Sequence, residues 1–164
     1  TYAEMERETP AAPRLMLPRD VSNLLMALAA RPGERALAVA APYAAVVLAR
    51  MGLEVTAQES EAAVFEVAGA TLPDEGHPAP VAPRARPAGE GWDVIVSEAA
   101  VPVRPDAWLD ALKVGGRLAV VERTGPTGKA ILYVRGEQGL SRRELFDAAP
   151  PVLAELAPEP TFAL

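Results

Sequence analysis

Residues 34–59 read ERALAVAAPYAAVVLARMGLEVTAQE, and this stretch decides the fold. Ala36–Ala40 is an apolar run without polar alternation, the pattern of a strand buried on both faces. The next stretch, YAAVVLARMG, is apolar, alanine-rich and closed by Gly52, which predicts a helix with a glycine C-cap. Glu54–Gln58 predicts a second strand. Strand, turn, helix and strand within about 25 residues make a β-α-β unit, whose two strands run parallel.

Upstream, PRDVSNLLMALAARPG places Val21, Leu24, Leu25 and Leu28 at helical spacing. Asp20 is the expected N-cap and Pro32-Gly33 the expected end. Residues 1–17 are charged, proline-punctuated and aperiodic, and read as an N-terminal arm; the domain then spans 18–164. Downstream, residues 60–91 carry the weakest pattern: EAAVFEVA suits a short helix or a strand, and Thr71–Gly91 is dense in Pro, Gly and Ala. Val94–Val96 predicts a buried strand, and PDAWLDALKVGG a helix capped by Asp106 and ended by Gly115-Gly116. RLAVVER predicts a strand, TGPTG a turn, and KAILYVR a strand that pairs back as a hairpin. SRRELFDAA reads as a polar helix start ahead of a final apolar TFAL. The expected fold is α/β: a Rossmann-like, doubly wound, mostly parallel sheet with an antiparallel C-terminal hairpin.

Composition narrows the function. The 164 residues suit one domain, half of them are apolar, and the mean hydropathy is +0.10, which excludes a disordered chain. With no cysteine and one histidine, disulfide frameworks, thiolate zinc sites and His-rich metal sites are excluded. A net charge of −6 argues against a nucleic-acid partner. No apolar run reaches the roughly 18 residues of a membrane span, and no signal peptide is legible. A cytoplasmic protein is expected. Seventeen prolines with abundant Ala and Arg suggest a GC-rich bacterial genome. The chain begins at Thr1 rather than Met, so upstream residues are expected to be missing.

Several blocks carry a resemblance. PRDVSNLLMALAARPGERAL, YAAVVLARMGLEV, WDVIVSEAAVPVRPDAWLDALKVGGRLAVV and SRRELFDAAPPVLAELAPEPTFAL together resemble the protein-L-isoaspartate O-methyltransferase family, in the short form found in alphaproteobacteria. The likeness runs from about Pro18 to Leu164 and breaks across 60–90. It implies the class I S-adenosylmethionine methyltransferase fold, with S-adenosylmethionine as the family cofactor and isoaspartyl carboxylates as acceptors. The family also has an N-terminal region that this chain lacks.

The resemblance fails where the family does its chemistry. Its first βα turn is glycine-rich, so that the backbone turns tightly and the cofactor lies against main chain. Here the turn is Ala38-Val39-Ala40-Ala41-Pro42-Tyr43: no glycine remains, Ala38 stands where the strand-end acid would be, and the loop is about two residues short. The cofactor-binding positions implied are therefore Ala40, Ala41, Pro42 and Tyr43, with Glu59 as the ribose-binding acid, all as a vestige of a site. Glu59, followed by Ser60 and Glu61, reads more simply as an acid at a helix start. The acid expected after the third strand falls near Asp74 and Glu75, neither of which aligns. The family's acceptor-side Thr-Ile-Ser aligns with Leu15-Met16-Leu17, whose apolar side chains are expected to pack over the vacated cleft or to form a homodimer or partner contact. No catalytic residue is assigned and no metal site is expected.

Among the remaining candidates, His77 is read as a solvated loop residue. Gly125-Pro126-Thr127-Gly128-Lys129 lacks phosphate-loop spacing and runs into a strand, so it is read as a hairpin turn. Glu98 follows a strand at its C-terminal end, where open sheets bind ligands, and is weighed between a ligand role and a capping or surface role. Trp92 and Trp108 are read as packing residues. The expectation is a homologue with little or no methyl transfer, which does not bind the cofactor; the alternative is an active methyltransferase.

Overall fold

The alternation of buried faces along the sheet follows the apolar runs of the sequence. The computed structural model describes residues 16–58, 77–78 and 87–153. In chain order the elements are α1 (Pro18–Leu28), β1 (Arg35–Val39), α2 (Pro42–Arg50), β2 (Glu54–Gln58), β3 (His77–Pro78), β4 (Trp92–Val101), α3 (Asp106–Asp110), β5 (Leu112–Arg123), β6 (Gly128–Gly136) and β7 (Gly139–Ala148). Among the described residues the strands form one seven-stranded sheet, ordered β3-β2-β1-β4-β5-β6-β7.

β1 lies inside the sheet, parallel to β2 on one side and β4 on the other, with Leu37 opposite both Thr56 and Ile95. That is why its pattern shows no polar alternation. Ala36, Ala38, Val94, Val96, Ala119 and Val121 face α1 and α2, whose Leu24, Leu28, Ala44 and Leu48 are fully buried against them. Leu37, Val39, Ile95, Leu118 and Val120 face the other side, where Trp108 and Leu109 of α3 cover them. Each such large side chain contributes roughly 1.5–3 kcal/mol through burial. The β5–β6 hairpin forms where expected, from Arg117 opposite Val134 to Arg123 opposite Gly128.

Four local expectations are corrected. The N-cap of α1 is Leu17, with Pro18 opening the helix, because proline needs no partner for a missing N–H there. Asp20 lies in the first turn instead, and the helix ends at Ala29 (φ 48, ψ 46), ahead of Pro32-Gly33. The helix expected over Pro105–Gly116 stops at Asp110, with Pro105 rather than Asp106 at its N-cap. Leu112 pairs with Trp92 and opens β5. Glycine makes that approach possible: a Cβ on Gly116 would sit 2.7 Å from the Trp92 carbonyl oxygen. SRRELFDAA is not a helix but most of β7, antiparallel to β6 from Gly128 opposite Ala148 to Gly136 opposite Gly139. Leu145, Phe146 and Ala148 pack from it against the core. His77 is not in a loop; with Pro78 it forms the short edge strand β3 beside Thr56 and Ala57. The expectations for EAAVFEVA and TFAL lie outside the described residues.

Candidate functional site

A doubly wound sheet opens a crevice where its connections diverge, at the C-terminal ends of the strands. In this order the divergence lies between β1, which leads through α2 to β2, and β4. The residues that meet there are Ala40-Ala41-Pro42 after β1 and Ser97-Glu98-Ala99 of β4.

The turn is tight and satisfied from within. Ala40 adopts φ +49, a left-handed conformation that costs an L-residue roughly 1–2 kcal/mol. The sequence thus keeps the backbone shape of a glycine turn without the glycine. Ala40 donates its N–H to the Gln58 carbonyl at 3.0 Å, and its own carbonyl accepts from Glu98 N–H at 3.4 Å. Ala40 and Ala41 are both 1% exposed. Pro42 opens α2 and brings no N–H, and Ala41, its N-cap, has no side-chain acceptor to offer. The first turn of α2 therefore needs an acceptor from elsewhere.

Glu98 supplies it. Its carboxylate Oε2 accepts the Ala44 N–H at 2.9 Å, and the Tyr43 N–H also bonds to it. The residue is 2% exposed. Burial pushes its carboxyl up to about 7, against the pull of the two amides. The position follows from an irregularity in β4. Val96 pairs with Ala119, yet the next pair is Ala100 with Val121, so β4 spends two more residues than β5 over that interval. This bulge turns Glu98 toward the start of α2. On its other side the Glu98 carbonyl accepts the Met16 N–H at 3.0 Å.

Of the roles expected for Glu98, the surface role is excluded by its burial, and a helix cap is what forms. Sequence reading missed that the helix capped is α2, 54 residues earlier. The only available signal was negative: α2 has neither a local capping side chain nor a glycine before it. Of the other anticipated residues, Ala40, Ala41, Pro42 and Tyr43 do lie together, with Tyr43 44% exposed. Ala38 is in the core between the sheet and the two helices. Met16 is buried and Leu17 half exposed. Leu15, Glu59, Asp74 and Glu75 lie outside the described residues. Trp92 and Trp108 are buried as expected, Trp92 beneath the Arg35 guanidinium at 4.5 Å. Thr127 and the start of β6 at Gly128-Lys129 join Glu122 and Thr124 around an open recess of about 280 Å³. Among the described residues no His, Cys, Asp or Glu cluster could hold a metal ion, and no helix is long and apolar enough to cross a membrane.

No protein-family model matches the chain. Two curated relatives do. A protein-L-isoaspartate O-methyltransferase of Methylorubrum extorquens (strain PA1) is 39% identical over 141 residues, 81% of this chain and 60% of the relative. One of Methylorubrum populi is 36% identical over 157 residues, 91% of this chain and 72% of the relative. The chain thus spans between three fifths and three quarters of the relatives' length. Among solved structures, a Plasmodium falciparum protein described as a beta-aspartate methyltransferase, in complex with S-adenosyl-L-homocysteine, matches with a TM-score of 0.66 at 17% identity, over 84% of this chain and 70% of that one. That likeness carries the class I methyltransferase fold; the two curated relatives carry more, and on their identity and coverage the chain belongs to the protein-L-isoaspartate O-methyltransferase family.

Proposed function

We propose that this chain is a family member that retains the methyltransferase fold without productive cofactor binding, and that it transfers methyl groups little or not at all. The observation that carries this reading is the main chain of the first turn. A glycine-rich turn serves a cofactor by leaving backbone N–H groups and open space facing it. Here Ala40 N–H is taken by Gln58, Ala44 N–H by Glu98, and position 42 is proline. The buried Ala40 and Ala41 side chains fill space that glycine would leave open. These residues do not fit S-adenosylmethionine. The relatives' name and the S-adenosyl-L-homocysteine bound in the Plasmodium falciparum structure describe those proteins.

Calorimetric and thermal-shift titration with S-adenosyl-L-homocysteine tests the reading. A micromolar binder at 1 mM would stabilise the fold by about 4 kcal/mol. The expected result is no saturable heat and no rise in Tm. A clear rise would instead support an active carboxyl methyltransferase acting on isoaspartyl residues.

A further inference from the structure

We propose that Pro151, Val152 and Leu153 form a releasable latch in a peptide-docking site: the edge of β4 beyond the end of β1 accepts an extended apolar peptide, and the chain fills that edge with its own C-terminal segment. Neither the site nor the latch depends on whether a cofactor binds.

The site exists because β1 stops before β4 does. β1 pairs with β4 only as far as Val39 opposite Ser97, and the chain then turns away through Ala40 and Ala41 into α2. β4 continues to Val101, so its buried main chain needs partners along an edge that β1 has left. Three separate segments supply them. The Ala40 carbonyl accepts the Glu98 N–H, and the Met16 N–H donates to the Glu98 carbonyl. Ala100, fully buried, donates its N–H to the Pro151 carbonyl at 2.8 Å, and its own carbonyl accepts the Leu153 N–H at 2.8 Å. Ala100 also pairs with Val121 of β5, so the parallel bridge to Val152 lies on the opposite side, the side that β1 occupies earlier along β4. This is strand addition within one chain: main-chain bonds hold an extended segment to a sheet edge, and a side chain in a pocket sets the sequence preference. That side chain is Leu153, buried in the cluster that includes Ala40, Val101 and Trp108, whereas Val152 beside it is 36% exposed.

The segment is held by few bonds. Pro150 and Pro151 have no N–H to give, and a single bridge joins the segment to β4, whereas β5, β6 and β7 share continuous ladders. Its other hold is the Arg123 guanidinium, which donates to the Ala149 and Pro150 carbonyls at 3.0 and 2.9 Å. A segment with so few backbone bonds opens at lower free energy than the core strands. A free peptide that carries a large apolar side chain, with its N–H unblocked, two residues after an available carbonyl meets the same Ala100 groups and the same pocket.

The probe is the C-terminally amidated peptide DAAPPVL, residues 147–153 of the chain itself, with a fluorophore at its N-terminus. Wild type should bind it weakly, because the tethered copy competes at an effective concentration of order mM. Arg123→Ala combined with Leu153→Asp loosens the latch and leaves the β4 edge intact. That variant should bind the peptide at least about tenfold more tightly by fluorescence anisotropy, and the same peptide with Asp in place of its leucine should not bind. A folded variant that ignores DAAPPVL, that binds it no better than wild type does, or that binds both peptides alike overturns the proposal. Hydrogen exchange of wild type decides the matter should the variant fail to fold. The Ala100 and Leu153 amides should exchange together, at least about tenfold faster than the β4 amides of Ile95 and Val96. Exchange of all four at one rate, through global unfolding alone, overturns the proposal.

Discussion

The Arg117 guanidinium grips the Glu34 carboxylate through two bonds, Nη1 to Oε2 at 2.7 Å and Nη2 to Oε1 at 3.0 Å, across 83 residues of sequence. The same guanidinium donates to the carbonyls of Leu28 and Ala29 at 2.8 and 2.9 Å. One side chain of β5 thus satisfies the C-terminal carbonyls of α1 and ties that helix to the end of the sheet opposite the crevice. Lysine cannot reproduce a planar fork. Arg117→Lys should lose about 2 kcal/mol at neutral pH, the scale of charged hydrogen bonds in a partly buried site. Urea unfolding measures it, and a loss under about 0.5 kcal/mol would mean that the fork is ornamental.

Two alanines occupy left-handed backbone, Ala29 at φ 48 and Ala40 at φ 49. Glycine relieves the strain at both, at the cost of a more flexible unfolded chain. Ala29 is exposed, so Ala29→Gly should gain about 0.5–1 kcal/mol. Ala40 is buried at 1% exposure, and its lost methyl offsets about 0.8 kcal/mol. Ala40→Gly should therefore be close to neutral. Paired urea midpoints decide it; equal gains would show that the Ala40 methyl packs against little.

The Glu98 carboxyl is raised from its ordinary 4.5 to about 7 by burial. The native state keeps the proton where the unfolded chain has already released it. Stability from this group is therefore full below about pH 4.5 and is lost as pH rises through about 7, roughly 3 kcal/mol in all. Glu34 and Asp93 slope the other way. Hydrogen bonding by Arg117 lowers Glu34; at Asp93 burial opposes ionisation, but Lys113 and the Arg35 amide overcome it. Their contributions are lost as pH falls through their lowered pKa values, so among the described carboxylates with shifted pKa values Glu98 alone acts between pH 4.5 and 7. Glu98→Gln should flatten the decline in that window. A Gln variant with the wild-type pH profile would show that another group sets the slope.

Restoring the turn by composition alone should not restore binding. Ala38→Asp, Ala40→Gly and Pro42→Gly together return the strand-end acid and two permissive positions. They leave Glu98 on Ala44 and the loop short, and they place a carboxylate at Ala38, where the side chain is fully buried in the core. The triple variant should be destabilised by at least about 2 kcal/mol and should not bind S-adenosyl-L-homocysteine. The Gly substitutions with a Thr-Gly insertion before Tyr43 and Glu98→Ala should show the first calorimetric binding. Binding by the triple variant alone would place the fault in glycine content rather than in loop length.

Much of this architecture was legible because it is local. The β1-α2-β2 unit follows from apolar runs and Gly52, which takes φ +93 just past α2, and the bounds of β2 fall where the sequence puts them. What misled was also local. Ser141-Arg142-Arg143-Glu144 has the spacing of a helix-capping box and good helix formers behind it, yet the free edge of β6 offers that segment a ladder of backbone partners. Pairing overrides propensity there. The departure of the turn from the family pattern was visible residue by residue. The capping of α2 by Glu98 was not, because nothing in the chain near Glu98 records which helix it will meet.

The order of the strands also sets the order in which they can assemble. β5, β6 and β7 are neighbours in both sequence and space, so two short turns bring them together. β1 must instead find β4 across the whole stretch from Val39 to Val94, at an entropic cost of closure about 2 kcal/mol greater. The C-terminal meander should therefore be protected from exchange in pulse labelling while Leu37 and Val39 are still open. Since Glu98 reaches the Ala44 amide from β4, α2 gains the acceptor for its first turn only once β1 and β4 have met, so the start of that helix should be among the last amides to gain protection.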